Sequence, residues 1–343
     1  MSKVRPRGEE IRRFIVNKVE DHPTDVATLA SKKFGISRQA INKHLRRLVA
    51  ENALVPEGTT RARKYKLHPQ VEWHQVFPLT RNLAEDIVWR DSVSPQLGAM
   101  PDNVVELWNY GFTEMFNNAI DHSDGSTISV HVERTAVSSE IAIFDDGVGI
   151  FRKIQRELGL LDERNAILEL SKGKLTTDPK NHTGEGIFFS SRMFDKFQIL
   201  SGGTLFSHDF GDPEDWILER AKRSSGTAVW MRLHNHTSRT VKKVFEKYST
   251  DDDFGFTKTV VPVRLAQYGD DLLVSRSQAK RLLVRVDRFK TVLLDFSGVS
   301  AVGQAFADEI FRVFAGHHPN IELIPIRANS AIKRMIHRAQ QAG

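Results

Sequence analysis

Along the first seventy residues apolar side chains recur every three to four positions. Glu9 to Glu20 reads as a helix. A second follows with Val26, Leu29, Ala30 and Phe34 on one face and Gly35 placed to end it in a left-handed conformation. Ser37 then caps a third, whose Ala40, Ile41, Leu45, Leu48 and Val49 form a single apolar stripe. A glycine turn and the strand-like "KYKL" close this segment, and residues 1–68 are expected to form one domain. From 69 to 100 the pattern is broken by Pro69, Pro78 and Pro95 around the short amphipathic "RNLAEDIVW", which reads as a linker. Beyond it, Val104, Leu107, Trp108, Phe112, Met115, Phe116, Ala119 and Ile120 give a long helix with a wide apolar face. Two alternating stretches, "STISVHVER" and "EIAIF", predict strands, and a central domain is expected over 101–240. From 250 to 343, "TVVPVRLA", "TVLLDFSGV" and "IELIPI" read as strands. They alternate with helical patterns over Ser275 to Val286, Gly303 to Phe314 and Ser330 to Ala339, which predicts an α/β layer. The fold class is therefore multidomain α/β.

Charge divides the chain unevenly. Residues 1–70 hold 16 Lys and Arg against 7 Asp and Glu, a surplus of nine, whereas the whole chain carries only +6. The face of the third helix opposite its apolar stripe presents Arg38, Gln39, Asn42, Lys43 and Arg46, side chains suited to phosphates and base edges. Arg61, Arg63 and Lys64 add a basic loop after it. A helical bundle that docks protein is the other reading of this segment. The 343 residues contain no cysteine, so disulfide and thiolate-metal chemistry are excluded. No apolar run approaches the roughly 18 residues that span a bilayer, and the expectation is a cytoplasmic protein with no membrane association.

The chemistry concentrates in the middle. Glu114, Asn118 and Asp121 fall four and three residues apart and share one face of the long helix. The second strand ends in "IAIFDDGVGI", where a carboxylate can accept a hydrogen bond from an exocyclic amine while Gly147 and Gly149 let backbone approach a flat ring. That suits adenine, although an Asp-Gly hairpin turn fits the same letters. Further on, "NHTGEGIFFSSRMFD" opens a helix with Gly-x-Gly, whose free N–H groups can hold phosphates, and "SSGTAVWMRL" sets Gly226 and Thr227 at a strand start.

This ordered series resembles the GHKL ATPases, which include gyrase, histidine kinases, mismatch-repair ATPases and anti-sigma kinases. The resemblance covers about residues 80 to 235 and implies a Bergerat-type α/β sandwich that binds ATP with Mg²⁺. It implies that Asp145 binds the adenine amine in a pocket shaped by Gly147 and Gly149, with Thr227 supporting the adenine side. Asn118 would hold the Mg²⁺, Thr183, Gly184 and Gly186 would wrap the phosphates as part of the ATP lid, and the mobile lid segment is expected over the preceding residues 151–181. Glu114 stands where hydrolytic members keep the glutamate that activates water. The motif departs from many histidine kinases at His182, where they carry glycine, and Glu185 sits amid the implied phosphate contacts.

The first segment resembles a winged helix-turn-helix, which implies DNA as partner and a homodimer. "VLLDFSGVSAVGQAFADEIF" resembles STAS domains, the STAS-like module fused to GHKL domains in particular, and implies docking between domains, protomers or a regulatory protein partner. Where phosphorylated STAS domains present an acceptor serine at a helix start, this chain has Gly303-Gln304-Ala305-Phe306, with Ser297 and Ser300 nearby. Taken together, the expectation is an ATP-responsive, DNA-binding transcriptional regulator. The alternative is a serine or histidine protein kinase acting on a partner in trans.

Overall fold

The computed structural model describes residues 6–59, 63–175, 184–212, 215–250, 253–267 and 272–341. It begins with three helices, α1 (Pro6–Lys18), α2 (Val26–Phe34) and α3 (Arg38–Ala50), followed by an antiparallel pair of strands, β1 (Leu54–Glu57) and β2 (Lys64–Leu67). Gly35 closes α2 at φ 63°, and the Ser37 hydroxyl caps α3 by accepting the Ala40 N–H at 3.2 Å. Ile11, Ile15, Val26, Ala30, Ile41 and Leu45 meet at the centre of a small separate core. Its contacts with the rest of the chain include Val137 packed on that core, the Ser138 hydroxyl donating to Glu20 at 2.6 Å, and Arg232 lying 3.8 Å from Asp21.

The central sheet contains β3 (Val71–Pro78), β4 (Thr127–Arg134), β5 (Ser138–Asp145), β6 (Lys196–Asp209) and β7 (Trp216–His234), all antiparallel in the order β3-β4-β5-β7-β6. The stretch expected as a linker thus begins with an edge strand, paired residue for residue with β4 from Val71 opposite Arg134 to Pro78 opposite Thr127. Its proline falls on the last residue of an edge strand, a position that needs no ladder N–H. After it, α4 (Glu85–Val88), a π-helical turn (Trp89–Val93) and α5 (Ser94–Leu97) bury Trp89, Val93 and Leu97 in the central core. The helical pattern of "RNLAEDIVW" was therefore a packing pattern.

One face of the sheet is covered by α6 (Asp102–His122), α7 (Ile150–Glu157), α8 (Glu163–Lys172) and α9 (Gly186–Met193). The period-two residues Ile128, Val130, Val132, Ile141, Ile143, Met231 and Leu233 meet the apolar stripe of α6, where Trp108, Phe112 and Phe116 are fully buried. Each such side chain contributes roughly 1.5–3 kcal/mol by leaving water. Most of the segment expected as a lid packs here too. Phe151 and Ile154 of α7, and Ala166, Ile167 and Leu170 of α8, belong to the core. Residues 176–183 lie outside the described residues.

The chain continues through α10 (Val241–Glu246) and the short pair β8 (Ser249–Thr250) and β9 (Asp253–Phe256) into a parallel sheet of β10 (Lys258–Pro262), β11 (Thr291–Asp295) and β12 (Glu322–Ile326). Helices α11 (Arg276–Leu283), α12 (Gln304–Asp308), α13 (Ala315–His317) and α14 (Ser330–Gln341) complete this layer, with a π-helical segment, Glu309–Phe314, between α12 and α13. Ser275 and Gln278 cap α11 reciprocally.

No boundary separates this layer's core from the central one. Phe188 and Phe189 of α9 pack with Phe245, Tyr248, Phe256 and Phe289 in one aromatic cluster. Beneath it Lys172 is buried, donating to Glu169 at 2.6 Å and to the Val284 carbonyl at 2.8 Å, with Arg285 3.8 Å from the same Glu169. Burial pulls the Lys172 ammonium below its ordinary pKa, an effect that Glu169 opposes. No helix among the described residues is long and apolar enough to cross a membrane.

Candidate functional site

At the end of β5 two adjacent carboxylates take different work. Asp146, exposed, accepts four hydrogen bonds from the backbone and hydroxyls of Ser126 and Thr127, between 2.5 and 3.0 Å, and these hold its pKa well below the carboxylate range. It ties the β5 turn to the start of β4. Asp145 is turned the other way, into a pocket between α6 and the sheet. Its Oδ1 accepts the N–H of Gly147 at 3.0 Å and of Thr227 at 3.2 Å. Burial raises its pKa, and those two bonds only partly offset the rise. A carboxylate kept short of solvent in this way is an acceptor waiting for a donor.

The turn works by close approach. Gly147 lies so near the Ser123 carbonyl at the end of α6 that any side chain would collide with it, and the next N–H, of Val148, donates to that carbonyl at 2.8 Å. Gly226, at φ 72°, sits equally close to the Asp145 carbonyl and donates to the Gly147 carbonyl at 2.7 Å. The Thr227 hydroxyl accepts the Ile150 N–H at 3.0 Å, fixing the first turn of α7. Gly149, the cap of α7, lies beside Ser201. The Ser201 hydroxyl is buried and has no hydrogen-bond partner among the described residues.

The pocket is narrow, a cavity of about 30 Å³. Asn118, Asp145 and Thr227 supply the polar groups, while Met115, Ile143, Ile150, Ile187, Ile199 and Val229 supply apolar walls. His122 and Ser123 also line it, two residues of the helix stretch that the sequence reading did not single out as site groups. Gly184 and Gly186 stand at the start of α9, with Gly186 against the Glu114 carboxylate, tightly enough that a methyl group there would overlap it. Tyr110, one turn before Glu114, is pushed to a higher pKa by burial and by the charges of Glu114 and Glu185. Burial likewise raises the Glu185 carboxyl. Thr183 falls outside the described residues.

A flat apolar slot with one desolvated carboxylate at its end suits an aminated heterocycle, and the glycine contacts leave backbone where side chains would block entry. Among the described residues no group of three or more His, Asp or Glu could hold a metal. Magnesium would have to be held by Asn118 together with phosphate oxygens, a common division of labour for that ion.

On the first domain, Arg38, Gln39, Asn42, Lys43 and Arg46 are all exposed on one side of α3, opposite buried Ile41, Leu45 and Leu48. Arg63 and Lys64 are exposed at the start of β2, and Arg61 lies outside the described residues. Burial and the nearby Arg12 and Arg47 cations hold the His44 imidazole below its ordinary pKa, a local reading of the positive potential. In the last domain the first turn of α12 carries Gln304, Ala305 and Phe306 and no hydroxyl. The Ser297 hydroxyl donates to Asp295 at 2.9 Å.

Residues 278–333 match a family model described as a STAS-like domain of unknown function (DUF4325). No curated protein matches the chain. The last domain of this multidomain α/β chain is STAS-like.

Proposed function

We propose that the protein is an ATP-responsive, DNA-binding transcriptional regulator, in which the central domain is a GHKL-type nucleotide site and the first domain is a winged helix-turn-helix. One observation carries the reading. Asn118, Asp145, Gly147 and Thr227, spread over more than a hundred residues, converge on a single slot, with Gly186 and Glu114 in contact beside it. A lone hairpin turn would need none of the others. In this reading Asp145 accepts the adenine amine, Gly147, Gly149 and Thr227 shape the base pocket, and Asn118 holds Mg²⁺. Gly184 and Gly186 lie along the phosphates. Glu114, one helical turn from Asn118, is the group to orient or deprotonate water. Arg38, Gln39, Asn42, Lys43 and Arg46 on α3 face DNA, with Arg63 and Lys64 on the flanking strand. A homodimer would pair two such helices on a two-fold operator.

Two packing contacts support a route between nucleotide and DNA in this reading. Helix α9 starts at Gly186 and drives Phe188 and Phe189 into the aromatic cluster shared with the STAS-like domain. The base of the first domain rests on the β4–β5 turn, from which β5 runs directly to Asp145 in the slot. Binding of Mg-ATP should therefore change DNA affinity, and DNA must change ATP affinity by the same factor. The test is to titrate a pool of DNA fragments with and without Mg-ATP, then follow γ-labelled ATP in the presence of the selected fragment. DNA affinity that responds to nucleotide, and a response lost in Asp145→Asn, supports the proposal. Identical DNA affinity in both states sinks the switch, and label retained on the protein would favour a kinase.

A further inference from the structure

A second cavity lies on the far side of α9, between the central sheet and the STAS-like layer. It holds about 480 Å³, the size of small-molecule sites. Its floor is apolar, built from Val260 and Pro262 of β10, Leu293 of β11 and Ile326 of β12, with Tyr248 at one side. Cations crowd its walls. Lys243 and Lys247 stand four residues apart on and just after α10, so both face the same opening, and neither makes an ion pair among the described residues. Glu246, between them, is turned to Lys242 instead.

The remaining charges are arranged to leave those two lysines uncompensated. Arg239 is held by Asp195 at 2.9 Å and lies flat on Phe210, its guanidinium carbon 3.6 Å from the ring centroid. Arg327 is paired with Asp295. Asp215 is bound to His208 at 2.5 Å, and burial, which would raise its pKa, is outweighed by that bond and by Arg192 and Arg327. Arg192, nearly buried at the end of α9, donates to backbone and to Ser191 and has no carboxylate partner within ion-pair distance among the described residues. Asp212 is the one other carboxylate on the lining. An apolar floor beneath cations that lack counter-charges is a receptor for a molecule with an apolar body and an anionic head.

We infer that this cavity is an effector site for a small organic anion, one apolar or aromatic group carrying a carboxylate or phosphate. The body would rest on Val260, Leu293 and Ile326 and the head would meet Lys243 and Lys247, with Arg192 behind. The inference stands on this cavity alone and not on the nucleotide reading. The two sites nevertheless share a part, since α9 has Gly186 at one end and Arg192 at the other.

The test uses the full chain and two fluorescent probes of similar shape, anionic anilinonaphthalene sulfonate and neutral phenylnaphthylamine. The expected result is saturable binding of one sulfonate per chain that persists in Asp145→Asn. Replacing both Lys243 and Lys247 by glutamate, on exposed positions, should weaken the sulfonate roughly tenfold and leave the neutral probe unchanged. Leu293→Trp, which fills the floor, should exclude both. Equal sulfonate affinity in the native chain and the double lysine variant overturns the inference, whatever the tryptophan variant does. Complete displacement of the sulfonate by Mg-ATP together with its loss in Asp145→Asn overturns it as well, by putting the probe in the other pocket.

Discussion

The two ends of the chain are attached to its middle in opposite ways. The first domain closes its own small core and meets the central domain through contacts that include a valine, one glutamate and a long ion pair. The STAS-like domain has no core to itself. It continues the central core through the aromatic cluster and lends Arg285 to the buried Glu169–Lys172 pair. Sequence domains therefore need not be mechanical ones. A module held by a few polar contacts can reorient at little cost, whereas one that shares a core moves only with its neighbour.

Truncation should separate the two attachments most sharply. Deleting residues 1–70 should leave a remainder that melts cooperatively within a few degrees of the full chain. Deleting residues 258–343 should expose Phe188, Phe256 and the α8 surface and yield an aggregating or molten product, visible as lost near-ultraviolet circular dichroism. Equal damage from both deletions would erase the distinction. Less drastic is Lys172→Met, which leaves Glu169 and Arg285 buried without their third partner. It should cost about 3–5 kcal/mol, and hydrogen exchange should locate the loss in α8 and β10 together while α1–α3 stay protected.

At the ligand sites the expected effects are smaller. Asp145→Asn should lower ATP affinity by roughly tenfold to a hundredfold, the worth of a charge-assisted hydrogen bond, without shifting the salt dependence of DNA binding. The same carboxylate sets a pH dependence. Its raised pKa means that it takes up its proton at a higher pH than an ordinary aspartate, so ATP affinity measured by calorimetry should begin to fall earlier on acidification. Conversely, Lys43→Ala with Arg46→Ala should reduce the slope of log affinity against log salt by roughly 1.8 and leave ATP binding intact. Smallest is His234, whose pKa is raised chiefly by its 2.8 Å bond to Asp195. A raised imidazole contributes stability that is full below its unfolded pKa and lost as pH rises through the folded one. Nuclear magnetic resonance titration of His234 should show that raised value in the native chain and an ordinary one in Asp195→Asn.

Legibility in the sequence followed the range of the interaction. Caps and stripes are local, and Gly35, Ser37 and the buried faces of α3 and α6 stand where their spacing put them. The slot was legible because glycines and acids at close backbone approaches leave few substitutes. Linker and lid failed for one reason. "VEWHQVFP" sits at a sheet edge, so its alternation is diluted by exposed residues such as Val76, and α8, within the Lys- and Glu-rich stretch 151–181, buries even Glu169 and Lys172. Composition reads such helices as solvated, and only a partner of Glu169 lying 116 residues downstream, Arg285, explains why they are not. The inter-domain cavity, made from six separated stretches, left no linear trace.

The buried triad also constrains ancestry. Two of its members precede the segment matched by the family model, and the third, Arg285, lies within it. No single codon change can neutralise one member without stranding the others, so the three positions should drift as a set or not at all. Recombination that delivered the carboxy-terminal segment to a new host would bring a cation with nothing to meet it. Lineages carrying this fusion are therefore expected to inherit it whole, with exchange confined to the amino-terminal domain.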